Sequence, residues 1–76
     1  MSEVAKAVIT CLENITGRND ITEDMAFGTD IFLTSVNAMK MVYDLETMLD
    51  IDEIAPEIIY GVETVSDLIR AVEEIK

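Results

Sequence analysis

Residue types that ordinarily carry chemistry are scarce in this chain, which has no histidine and a single cysteine. Ser–His and Cys–His nucleophilic catalysis, an internal disulfide and most zinc sites are therefore removed together. The acids of "DIDE" (50–53) resemble the start of a calcium loop. Counting from Asp50, however, Ile54 is fifth, Ala55 sixth and Gly61 twelfth, where an EF-hand needs an oxygen ligand, a glycine and a glutamate. The hydroxyl that stands out is Ser35, in "DIFLTSVNAMKMVYDLE" (30–46), where a loop gives way to an amphipathic run. A serine there can cap exposed helix amides. The same helix end, with unpaired N–H groups and the positive pole of the dipole, also tolerates a phosphate on the hydroxyl. Because an unaided serine is a weak nucleophile, covalent chemistry at Ser35 needs a separate activating enzyme. The chain is not expected to be an enzyme itself.

The elements that must position Ser35 follow from apolar spacing. Val4, Val8, Cys11, Leu12 and Ile15 recur at three and four, predicting a helix over about residues 3–15 that stops at Gly17. Cys11 falls on its apolar face, as a buried, inert thiol. Residues 17–34 hold no sustained period and read as one long loop, anchored by Ile21, Met25, Phe27, Ile31 and Leu33. Its last residues alternate like a strand, but no partner strand is evident elsewhere. From Val36 a second helix is predicted with Met39, Val42, Leu45 and Leu49 on its face, and Met39, Met41 and Met48 as core packing. Pro56 suits the first position of a short third helix closed by a left-handed Gly61. Thr64 and Asp67 form a capping-box pair ahead of the stripe Val65, Leu68, Ile69, Val72 and Ile75. The expected fold is all-α: a single domain over residues 2–76, a small four-helix bundle with a long first loop and a stub for its third helix.

Sixteen Asp and Glu against five Lys and Arg give 76 residues a formal charge of −11, while half of the residues are hydrophobic. Such a chain folds against its own repulsion and is repelled by nucleic acid and anionic membranes, leaving basic protein surfaces as the favoured partners. The segment "MSEVAKAVITCLENITG" is interrupted by Glu3, Lys6 and Glu13, unlike a signal peptide or membrane span, so a cytoplasmic monomer without membrane insertion is expected.

The run "ITEDMAFGTDIFLTSVNAMKMVYDLE" (21–46) resembles the acyl carrier protein pattern, in which a loop ending D-L-G-L-D-S-L opens a helix finishing in L-E. Asp30 and Ile31 take the first two places, Leu33 the fourth, Ser35 that of the modified serine, Val36 the aliphatic position after it, and Leu45–Glu46 the closing pair. "TVSD" (64–67) is similar to the start of the family's last helix. The resemblance implies that Ser35 carries 4'-phosphopantetheine, added by a phosphopantetheinyl transferase. It also implies acyl or aminoacyl cargo held as a thioester and delivered to acyl-loading, synthase or transferase enzymes of fatty acid, polyketide or related biosynthesis. Partner contacts are expected from Val36, Met39, Lys40, Tyr43, Asp44 and Glu46; for the apolar members of that set, core packing is the competing role. Thr34 stands where the family usually has an acid, Lys40 where an acid is common, and Phe32 where glycine is usual. A phenylalanine at a positive φ would be strained, so a reshaped loop or an inward ring is expected there. The alternative is an unmodified acidic adaptor module in which Ser35 only caps the helix.

Overall fold

A computed structural model describes residues 2–76, in which four helices follow in order: α1 (Glu3–Thr16), α2 (Ser35–Leu49), α3 (Pro56–Gly61) and α4 (Val65–Ile75). Each helix starts for a local reason. The Ser2 hydroxyl accepts the Ala5 amide at 3.0 Å, Thr34 caps α2, Pro56 opens α3, and Thr64 with Asp67 completes the capping box of α4. α1 ends as expected on Gly17, at φ 72°, a left-handed conformation in which glycine carries no Cβ penalty. Asp50 closes α2 in the same conformation, at φ 54°. Gly61 does not close α3 this way: the chain leaves through Val62 in extended conformation, φ −98° and ψ 146°, so no left-handed residue is needed.

α1 packs against both α2 and α4, while α3 touches only α2 and α4. Val8, Cys11 and Leu12 of α1 meet Met41 and Leu45 of α2 and Val65, Leu68 and Val72 of α4 in one cluster, completed by Ile21, Ile31 and Ile54 from the connections. Full burial of each Leu, Ile or Val contributes about 1.5–3 kcal/mol relative to exposure, so this cluster dominates stability. No polar or charged residue is buried among the described residues, and the net charge therefore lies on the surface. α3 buries no residue of its own.

The α2 face differs from the expected one. Its buried line is Ala38, Met41, Leu45 and Leu49, whereas Met39, 68% exposed, lies outside the core and Met48, 50% exposed, reaches it only with its sulfur beside Cys11. Apolar residues are dense enough between 36 and 49 to support either line. The bundle selects the one that faces α1.

The connection over residues 17–34 is a loop stitched to the rest of the fold. The amides of Val65 and Ser66 donate to the carbonyls of Met25 and Glu23 at 3.0 and 2.8 Å, and that of Phe27 donates to Glu63 at 2.8 Å. The strand-like alternation resolves into isolated bridges, Ala26 with Thr64 and Phe27 with Ile31, rather than a strand. The partner missed in the sequence is the turn leading into α4. Arg18 pairs with Asp20 at 2.8 Å and donates to the carbonyl of Asp30, whose carboxylate in turn accepts the Ala26 amide at 2.9 Å. These contacts fix the approach to residue 35. Ile21 and Ile31 are buried, and Met25, Phe27 and Leu33 pack half-buried on the core, as expected.

Candidate functional site

Two consecutive hydroxyls begin α2, and geometry separates them. Thr34 has extended dihedrals, φ −74° and ψ 166°, and its Oγ1 accepts the Asn37 amide at 3.1 Å while its carbonyl accepts that of Ala38 at 2.9 Å. It is the cap. Ser35, for which capping was one of two readings, is instead the first helical residue and lies exposed. A cap must hold non-helical dihedrals to turn its oxygen back over the helix end, and Thr34 already holds them. The Ser35 hydroxyl is thus freed from that duty at the positive pole of a fifteen-residue helix. α1, α3 and α4 each place an acid in their first turn, Glu3, Glu57 and Asp67, whereas α2 has none there. Its helix end can accept a covalently held phosphate without like-charge repulsion from that turn.

Two shallow apolar grooves adjoin this point. The first, about 230 Å³, has Ser35 and Thr34 on its rim and Phe32, Ile59 and Tyr60 among its walls. The second, about 170 Å³, runs between Met39, Val42 and Tyr43 of α2 and Pro56, Ile59 and Tyr60 of α3. Ala38, Ile59 and Tyr60 line both, so an apolar track leads from Ser35 along the α2–α3 cleft.

The expected contact residues divide into two groups. Val36, Met39 and Tyr43, 75%, 68% and 68% exposed, form one stripe on the open side of α2. The core role that competed for them does not apply. Lys40 and Asp44 pair with each other at 3.4 Å across one turn, and Glu46 turns back so that its carboxylate accepts the Ile54 amide at 2.7 Å. Phe32 and Tyr60, 72% and 70% exposed, join the stripe and were not expected there. Phe32 has no positive φ, so the strain that a reshaped loop would avoid is absent, but its ring is not tucked inward. Tyr60 was illegible as a site residue because a six-residue stub carries too little periodicity to reveal which side faces α2.

Cys11 is 1% exposed, with its Sγ 3.4 Å from the Met48 sulfur. Burial, reinforced by Asp44 and opposed by Lys40, pushes its thiol up to about 11. It is the inert cysteine expected.

Residues 6–72 match the family model described as a phosphopantetheine attachment site. The chain belongs to this family of carrier domains. The family is defined by covalently attached 4'-phosphopantetheine, and a phosphopantetheine-carrying protein of the acyl carrier type, interacting with a transferase and biosynthetic enzymes in general, accounts for the length and helix order of this one. No curated protein and no solved structure is significantly similar to the chain. None of the described helices is long and apolar enough to cross a membrane.

Proposed function

We propose that Ser35 is the attachment residue and that the chain shuttles acyl or aminoacyl groups among enzymes of fatty acid, polyketide or related specialised biosynthesis. The observation that carries this reading is the division of labour at the α2 start, where Thr34 caps and Ser35 stays exposed beside an apolar track. When bound, the phosphopantetheine supplies a terminal thiol that holds cargo as a thioester. The chain does the rest by position. The α2 terminus accommodates the phosphate, the Arg18–Asp30 contact holds the loop that presents Ser35, and the track through Ala38, Ile59 and Tyr60 offers an apolar cargo a place out of water. No histidine is present to take the serine proton, so the transferase removes it as the serine oxygen bonds to the phosphopantetheine phosphorus of coenzyme A, whose pyrophosphate bond breaks to release adenosine 3',5'-bisphosphate.

Partner enzymes meet the Val36, Met39 and Tyr43 stripe, widened by Phe32 and Tyr60. The partner surface is therefore apolar at its centre and basic at its rim, because charge −11 steers encounter while desolvated apolar side chains supply the contact energy. Lys40 and Asp44, already paired, contribute little to that energy. A lone buried thiol suits a reducing compartment such as the cytoplasm. The test is tryptic mapping after loading by a broad-specificity transferase with coenzyme A. The arm is expected on Ser35 within the peptide spanning residues 19–40, and an arm on Thr34 or on another peptide would refute the assignment.

A further inference from the structure

Glu46 sits where three structural tasks converge. Its backbone carbonyl accepts the Asp50 and Ile51 amides that end α2, the latter at 3.0 Å, and its carboxylate accepts the Ile54 amide at 2.7 Å, while the same side chain lines the α2–α3 groove. Ile54 is 1% exposed, so without this partner its amide would be left buried and unsatisfied. Beyond Ile54 the chain enters α3, which has no side-chain cap at Ala55 and buries none of its six residues. It is held at its far end by the three backbone bonds linking Glu63, Val65 and Ser66 to the 23–27 segment. α3, whose Ile58 and Ile59 pack half-buried on the core, is thus tied at two points, and Glu46 is the nearer one. Pro56, Ile59 and Tyr60, one wall of the groove, hang on that span.

We propose that Glu46 is a positioning residue: its hydrogen bond to Ile54 sets the place of α3 and so the width of the groove that shelters an apolar cargo. Glu46 therefore governs how well a long acyl thioester is protected from solvent. This rests on the carrier reading for its cargo. A charge-assisted bond to a buried amide is the strong kind, so its loss is felt along the whole of α3, while the α1–α2–α4 core keeps its own contacts. Gln in its place retains a carbonyl acceptor, whereas Ala removes it.

The experiment compares wild type, Glu46→Gln and Glu46→Ala as full chains, by amide hydrogen exchange and, after loading from octanoyl- and acetyl-coenzyme A, by the rate at which hydroxylamine cleaves the thioester. In Glu46→Ala, exchange over residues 54–61 and cleavage of the octanoyl species are expected to rise about tenfold, the scale set by one such hydrogen bond. The acetyl species, too short to enter the groove, should be cleaved equally in all three proteins, and Glu46→Gln should stay within about twofold of wild type. Equal acceleration of acetyl and octanoyl, no acceleration of either, or failure of Gln to rescue overturns the proposal. Absence of the arm from wild type defeats the carrier reading instead, and the exchange comparison then still decides whether Glu46 positions α3.

Discussion

Thr34 and Ser35 are neighbours in sequence with opposite roles: the Thr34 hydroxyl accepts the Asn37 amide at 3.1 Å, and the Ser35 hydroxyl, one residue on, stands exposed. Thr34→Ala is expected to lower stability by about 1 kcal/mol, the usual cost of a lost cap. In a domain of this size that is roughly a 4–8 °C drop in melting temperature. Ser35→Ala should stay within about 0.5 kcal/mol of wild type in the same denaturation measurement, as surface substitutions away from such contacts do. A larger effect at Ser35 than at Thr34 would reverse the assignment of cap and handle.

Two methionines on opposite sides of one turn of α2 make a second contrast. Met41 is fully buried and Met39 is exposed, so Met41→Ala is expected to cost about 2–5 kcal/mol in urea denaturation and Met39→Ala less than about 0.5. Met39→Ala and Tyr43→Ala should instead weaken binding to a partner enzyme. Interface residues that carry contact energy typically cost more than about 1 kcal/mol when truncated, which titration calorimetry against a cognate synthase would register.

Burial raises the Cys11 thiol to about 11. The linkage has a definite sign: a thiol harder to ionise in the folded than in the unfolded chain favours folding fully below the unfolded value. That contribution is lost as pH rises from there through about 11. Alkylation of the folded protein near neutral pH should therefore be slow and become rapid on denaturation, as followed by intact mass. Fast alkylation of the folded chain lacking its arm would show that the α1–α2 packing over Cys11 is wrong.

Among the described residues four of the five Lys and Arg are engaged in ion pairs, Arg18 with Asp20, Lys40 with Asp44, Arg70 with Asp67 and Lys76 with Glu3, which leaves most of the sixteen acids without such a partner there. Screening should relieve that repulsion, so the melting temperature is expected to rise from low to moderate salt. An unchanged or falling value would mean that the surviving ion pairs outweigh the repulsion.

How much of this was legible in the sequence depends on whether neighbouring residues competed for one role. Gly17 and the Thr64–Asp67 pair had no rivals, and both ends behave as read. Ser35 is by type at least as good a cap as Thr34, and only dihedrals assign the role to Thr34. On α2, Met39 and Met41 each fit a stripe at spacings of three and four, so burial had to come from the direction of α1. The Glu46–Ile54 bond joins residues eight apart through a connection with no period, and its one signal, the Leu45–Glu46 pair of the family pattern, pointed to a surface role instead. Phe32 could be flagged as unusual but not oriented, because a loop gives no periodic reference for a side chain.

The most direct test of the central claim is intact-mass analysis of wild type and Ser35→Ala after incubation with a broad-specificity phosphopantetheinyl transferase and coenzyme A. Wild type should gain the mass of one phosphopantetheine and Ser35→Ala should gain none. Gain by both proteins, or by neither under conditions that load a control carrier, would contradict the account.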